Sequence, residues 1–270
     1  MKYKLLVVIV PILISMQGFA QGRSSLATQE ISSGKYTWVA PGVKGSENIL
    51  SSNILSGTAH DFSWLEVASC SLPASANKNN FLVPDDEEHL FIIKSGKLAI
   101  SFGDSSWIIG PGSIALLLPG ESFSLQSEDK TACNYYLMKY RSRQPADRER
   151  GKVSGGSFVR DWNKLAFRPH GRGGVRSYFE RPTTMSSRFE MHVTTLNPGL
   201  KSHDPHTHRA EEIILMLEDT GEGKSHTEML IGDKSYRGRA GDLYYVGSNL
   251  LHGIKNIGTA PCSYFAFQFE

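Results

Sequence analysis

Residues 206–208 read His-Thr-His, Glu212 follows four positions after His208, and His252 lies within GDLYYVGSNLLHGIKN, the run from Gly241 to Asn256. Alternate side chains of a β-strand share a face and stand about 7 Å apart, so His206, His208 and Glu212 converge only where the chain is extended and curled. A small β-barrel supplies that curl. Three imidazoles and one carboxylate on one barrel wall bind a divalent transition ion and leave coordination positions open for water or substrate.

The phase of the neighbouring residues agrees. His206, His208, Ala210, Glu212, Ile214 and Met216 fall on one side of an extended chain, and Thr207, Arg209, Glu211, Ile213 and Leu215 on the other. The first face carries donors and then apolar residues, as a barrel interior with a polar site at one end requires. His252, Ile254 and Asn256 repeat the pattern on a later strand. The chain has nine histidines, and three of them stand at ligand spacing beside a correctly placed glutamate, which separates them from scattered surface or core histidines.

The segment from Gly199 to Asn256 resembles the two motifs of the cupin superfamily. Gly199, His206, His208 and Glu212 fit the first, and Gly241, Asp242, His252 and Asn256 fit the second. The sequence departs from the pattern at Gly247, where a proline is usual, at Asn249, where a glycine is usual, and in a first spacer one residue longer. Gly247 and Asn249 both tolerate positive φ, so a tight turn survives. The resemblance implies a jelly-roll barrel holding one divalent ion, most often manganese or iron. Nitrogen and oxygen donors also suit zinc or nickel, so the donor set leaves the ion open. The stretch Asp219–Glu228 between the motifs is polar and glycine-bearing, either a lip over the barrel mouth or a neutral insertion.

The rest of the chain divides around this segment. Met1–Ala20 read as a secretory signal: Lys2 and Lys4, an apolar run from Leu5 to Ser15, and small residues at Gly18 and Ala20. The run is broken by Pro11 and too short for the ~30 Å hydrocarbon core, so no membrane span is expected. The mature chain is expected to start at Gln21 and to be periplasmic or secreted. The balance of 29 basic and 27 acidic side chains gives no basis for binding nucleic acid or a membrane surface. Cys70, Cys133 and Cys262 sit in or beside strand-like runs and read as buried small apolar side chains, with one bridge left open in an oxidising compartment.

An all-β fold of two tandem cupin barrels is expected, residues 21–140 and 166–270, joined by a charged, glycine-rich linker over 141–165. Short β segments separated by glycine, proline and asparagine turns occupy both halves. The halves also repeat weakly. Setting Glu88 on Glu212 puts Leu82 and Pro84 where His206 and His208 stand, and Ser124 or a neighbour where His252 stands. The first barrel is therefore expected to be metal-free, and to pack against the second barrel or a second chain, a homodimer being one such arrangement. The rival reading gives it an organic ligand.

Glu190, His192 and Thr194 share one face of the strand that precedes the first motif. If that face looks inward, Glu190 and His192 stand near the ion as general acid or base. If the apolar face of Phe189, Met191 and Val193 looks inward, both are surface groups. Of Tyr244 and Tyr245, one faces inward and the other outward. The run Arg168–Pro182 carries four arginines, of which Arg172, Arg176 or Arg181 steer an anionic substrate or simply belong to a solvated crossing strand.

Three functions fit these residues: a metal-dependent isomerase, hydrolase or lyase acting on a small polar metabolite such as a sugar acid or keto acid, an iron-dependent dioxygenase, and a non-catalytic small-molecule binding protein. The plan of a signal followed by a metal-free and a metal-bearing cupin is also similar to that of the ureidoglycine aminohydrolases. The donor order of that family, glutamate-x-histidine-x-x-x-histidine with a later glutamine, is not reproduced by HTHRAEE and His252.

Overall fold

The computed structural model describes residues 29–44, 49–74, 78–128, 130–217 and 226–270. The expected signal, Met1–Ala20, and most of the polar stretch Asp219–Glu228 lie outside the described residues. Strands in the first half are β1 (Gly34–Tyr36), β2 (Val43–Lys44), β3 (Leu50–Gly57), β4 (Phe62–Leu72), β5 (Asn79–Leu82), β6 (Glu88–Ser95), β7 (Leu98–Phe102), β8 (Ser105–Ile109), β9 (Ile114–Leu117), β10 (Ser122–Ser127) and β11 (Cys133–Ser142). A short helix, α1 (Arg148–Val153), precedes β12 (Phe158–Arg160), β13 (Arg168–His170), β14 (Gly173–Arg181), β15 (Phe189–Leu196), β16 (Glu211–Met216), β17 (Thr227–Ile231), β18 (Lys234–Gly238), β19 (Leu243–Val246), β20 (His252–Asn256) and β21 (Cys262–Phe269).

These strands build two jelly rolls, each a seven-stranded sheet closed by a smaller one. The first pairs the order β12-β9-β6-β11-β4-β3-β2 with β5-β10-β7-β8, and the second pairs β1-β19-β16-β21-β15-β14-β13 with β18-β17-β20. The two large sheets lie face to face. Leu65, Leu90, Ile92, Tyr136, Met138 and Tyr140 of one meet Phe189, Met191, Ile213, Leu215, Phe265 and Phe269 of the other in a single buried cluster. Each large sheet is thus buried on both faces, so its central strands are apolar at successive positions, as β16 is from Ile213 to Met216. The opposite faces fill the barrels, with Phe91, Ile93, Leu98 and Tyr135 in the first and Ile214, Met216, Tyr244 and Ile254 in the second.

Two segments cross the division expected at residues 140 and 165. β1, in the first half by sequence, pairs with β19 and covers the open edge of the second barrel's sheet. β12, inside the expected linker, pairs with β9 of the first barrel. Both satisfy edge N–H and C=O groups that a strand left bare would expose. The expected linker is therefore ordered: the side chain of Asp147 accepts from the backbone N–H of Arg150 at 2.8 Å, capping α1.

Tyr244 and Tyr245 are both fully buried. Tyr244 faces the barrel interior and Tyr245 the other large sheet, so the side that is outward in a lone barrel is here an interface. Cys70, Cys133 and Cys262 are buried and unbridged, and burial pushes the Cys70 thiol up to about 12. Among the described residues no helix is long and apolar enough to cross a membrane.

Candidate metal centre

β20 and the loop before β16 bring the four sequence-predicted donors together. His206 forms an isolated antiparallel bridge with His252, with N···O distances of 3.0 Å in both directions. The loop before β20 is tied to the same segment by the N–H of Asn249, which donates to the carbonyl of His208 at 2.8 Å. Asn249 takes this turn at φ 59°, a left-handed conformation that asparagine tolerates. As a result His206, His208 and His252 present ring nitrogens that lie within 4.8 Å of one another. The Glu212 carboxylate stands 3.0 Å from His252 Nε2 and 3.5 Å from His208 Nε2.

The ring orientations are fixed from behind. His208 Nδ1 donates to the carbonyl of Ala210 and His252 Nδ1 to that of Leu250, each at 2.8 Å. Each Nε2 then carries the lone pair of a neutral imidazole and points at the cluster. His252 Nε2 is buried and makes no hydrogen bond, although a carboxylate oxygen faces it. Acceptors converging in this way are complementary to a cation, so the residues present fit a divalent ion.

Titration follows the same geometry. Burial alone raises the Glu212 carboxyl, but the His208 and His252 imidazoles facing it overcome that and hold it at about 2. His208 is raised by the Glu212 carboxylate beside it. His206 is lowered by burial and by the neighbouring His203, His252 and His208. Thus a carboxylate, rather than a carboxylic acid, faces the imidazoles at neutral pH.

The polar face of β15 looks into the barrel. Directly opposed residues of antiparallel strands share a face, and Glu190 pairs with Gln268, His192 with Ala266 and Thr194 with Tyr264. Gln268 in turn pairs with Glu212. Glu190 and His192 therefore share the donors' face, and His192 Nδ1 donates to Glu190 Oε1 at 3.2 Å. That hydrogen bond is the main cause of the lowered Glu190 carboxyl. Two residues that no spacing rule singles out join this wall: Gln268, whose Nε2 is 3.3 Å from His208 Nε2, and Arg188, whose Nη1 donates to Gln268 Oε1 at 3.3 Å. His203 stacks edge-on against His206, with ring centroids 4.1 Å apart.

The arginines of residues 168–182 are elsewhere. Arg176 lies over the rings of Trp162 and Phe167, and Arg181 over Phe158 with hydrogen bonds to the carbonyls of Ser154 and Gly156. They clamp the segment joining the barrels. A cleft of about 580 Å³ lined by Lys35, His226, Arg237, Arg239 and Asp242 lies at the opposite end of the second barrel from the histidines and contains none of their donors.

The first barrel has the same frame with other side chains. Lys139 pairs with His89 and Glu66 as Gln268 pairs with Glu212 and Glu190. Phe81 pairs with Phe123 as His206 bridges His252, and Gly120 donates to the carbonyl of Val83 as Asn249 does to that of His208. The equivalents of His206, His208, Glu212 and His252 are therefore Phe81, Val83, His89 and Phe123, each one residue from the positions expected in the sequence. Glu88 corresponds to Glu211 and not to Glu212. Each begins its strand, accepts from a tyrosine hydroxyl (Tyr140 or Tyr245), and accepts a backbone N–H from the other barrel: Met185 to Glu88 at 3.0 Å, His60 to Glu211 at 2.8 Å. The shift arises because five residues lie between Val83 and His89 where three lie between His208 and Glu212.

Two jelly rolls packed through their large sheets, one presenting a histidine and glutamate cluster at its mouth, define a two-barrel protein with a candidate metal centre. The family model for a cupin domain matches residues 192–267, and that for an AraC-like ligand binding domain matches 83–148. The chain is a bicupin of the cupin superfamily. Its fold is similar to that of protein Ylba from E. coli (TM-score 0.68, 13% identity, covering 92% of this chain and 95% of that one). It is also similar to AerE from Microcystis aeruginosa (TM-score 0.61, 14% identity, 87% and 98%) and to an oxalate decarboxylase formate complex from Lactobacillus farciminis (TM-score 0.62, 13% identity, 90% and 88%). No curated protein matches the sequence.

Proposed function

We propose that this chain is a metal-dependent enzyme of the periplasm or cell exterior, acting on a small polar metabolite such as a sugar acid or keto acid by isomerase, hydrolase or lyase chemistry. His206, His208, Glu212 and His252 would hold one divalent transition ion. The observation that carries this reading is the convergence of three imidazoles, two of them pinned from behind, with the ionised Glu212 beside His208 and His252 and the Nε2 of His252 buried and without a hydrogen bond. A bound ion supplies Lewis-acid polarisation of a carbonyl or carboxylate oxygen.

The protein's own groups would supply the rest. Glu190 stays ionised and, by accepting from His192 Nδ1, leaves the other ring nitrogen of His192 with the lone pair of a base. The buried faces of Ile214, Met216 and Ala266 behind the site exclude water from the barrel interior. The fold shared with an oxalate decarboxylase supports a small acid as substrate, and residues 1–20 support export.

The test is metal analysis of protein purified from its own compartment, followed by a screen of small acids with that ion loaded. His206→Ala, His208→Ala and His252→Ala are each expected to reduce bound ion at least ten-fold, by loss of one ligand, while keeping the β-rich circular dichroism of the parent. Full occupancy in any two of them would show that the donors are wrongly assigned. Turnover lost in Glu190→Gln and His192→Gln with the ion retained is the expected signature of the proton-transfer pair.

A further inference from the structure

Gln268 is the central inward residue of three adjacent strands, directly opposite Glu190 on β15 and Glu212 on β16. Its amide is held at both ends. A guanidinium has donors only, so the atom 3.3 Å from Arg188 Nη1 must be the carbonyl oxygen. The NH2 end therefore points at the centre, 3.3 Å from His208 Nε2. That nitrogen can accept, because His208 already donates through Nδ1 to the carbonyl of Ala210. Arg188 is itself fixed, with Nε donating to Glu180 at 3.2 Å and Nη2 to Glu190. Flipping the amide would set donor against donor.

We propose that Gln268, locked by Arg188, is the specificity-determining residue of the site, donating its amide N–H to a carboxylate oxygen of a small monoanionic acid bound beside His208. The proposal rests on the reading of His206, His208, Glu212 and His252 as a metal site. Once the lone pair of His208 Nε2 is engaged by an ion, the N–H it accepts is released toward whatever oxygen lies alongside. Charge selects the ligand. A divalent ion with the single carboxylate of Glu212 keeps one positive charge, and Arg188 is already met by Glu180, Glu190 and Glu270, so the ligand's one negative charge answers the ion. An N–H fixed in direction by a second residue costs little to reorganise on binding, which favours an acceptor at that one place.

The experiment uses the ion-loaded full-length chain, with pyruvate and acetate as probes, bound ion per chain measured by emission spectroscopy and affinity by calorimetry. Gln268→Leu is expected to keep the ion and to bind both acids about ten-fold or more weakly, the usual loss for a hydrogen bond to a charged group. Gln268→Glu, which keeps the shape and replaces the donor by a negative charge, is expected to keep the ion and to weaken binding further. Arg188→Leu frees the amide to flip and should weaken binding by a smaller factor. Parent-like affinity in Gln268→Leu with the ion bound overturns the proposal, as does loss of the ion in that variant, which would make Gln268 a ligand. An ion-loaded parent that binds neither acid also overturns it. A parent that binds no ion at all refutes instead the metal reading beneath it.

Discussion

Glu87 caps the mouth of the first barrel, accepting from His89 Nε2 at 3.0 Å and from the Arg141 guanidinium. Burial raises its carboxyl, yet the hydrogen bonds and charges of these two partners prevail and bring it from 4.5 down to about 2. A carboxyl lowered in the folded state stabilises above its unfolded pKa and gives up that stabilisation as pH falls toward the folded one. Glu87→Gln is accordingly expected to lower the urea midpoint at pH 7, with a deficit that shrinks to less than half by about pH 3. An equal deficit at pH 7 and pH 3 would show that the charge plays no part. The second barrel's donors were legible because their spacing is local: His206, His208 and Glu212 fall within seven residues. Gln268 and Arg188 were not, since each is one polar residue on an ordinary strand and acquires meaning only through register. The inward orientation of Glu190 and His192 likewise depends on their pairing with Gln268 and Ala266. In the first barrel, a loop two residues longer displaced the expected equivalents by one position, and one position exchanges the faces of a strand.

Helix α1 shows why the joining segment could not be read as structure from composition. Its residues, RERGKV, have no apolar stripe, and what fixes it is contact: Arg150 donates to the carbonyls of Thr183 and Thr184, and Gly151 packs where no side chain fits. A Cβ added at Gly151 would stand 2.0 Å from Thr184 Oγ1 and 3.1 Å from Leu118 Cδ1. Gly151→Ala is therefore expected to cost about 1–3 kcal/mol through overpacking, more than the ~1 kcal/mol that alanine gains over glycine in a helix. At Gly171 a Cβ meets nothing within 4 Å, so Gly171→Ala should leave the thermal midpoint nearly unchanged. Equal midpoints for the two variants would mean that α1 does not press on the 183–186 turn. The strands that were legible, such as Thr227–Ile231, Leu243–Val246 and Cys262–Phe269, are apolar runs bounded by turns. β12 escaped because it is three residues long and flanked by glycine and charged residues, whereas β13 and β14 fall in the run Arg168–Pro182, for which a crossing strand is one of the two readings. β12 and β13 are the edges of their sheets and β14 lies next to β13, where backbone pairing rather than side-chain pattern decides.

At the scale of the whole molecule, the decisive event is the packing of one large sheet on the other. The sequence showed two similar halves but not their contact face, because strands such as FAFQF are apolar on both sides and no polar row marks an exterior. Phe269, fully buried on the last strand of the second barrel, stacks on Phe62 of the first at 4.8 Å and meets Phe189 edge-on at 6.1 Å. Reciprocal hydrogen bonds reinforce the contact, with Glu88 receiving the N–H of Met185 and Glu211 that of His60. The sheet carrying Glu212 and Gln268 is thus backed by the first barrel, and the donors' alignment depends on both halves being folded together. Phe269→Ala should cost about 3–5 kcal/mol, and both barrels should still unfold in one transition at a lower midpoint. If tryptophan fluorescence, reporting on Trp64 and Trp107 of the first barrel and Trp162 beside it, stayed at the parent midpoint while bound ion was lost earlier, the barrels would be independent units. The first barrel would then be no support for the site in the second.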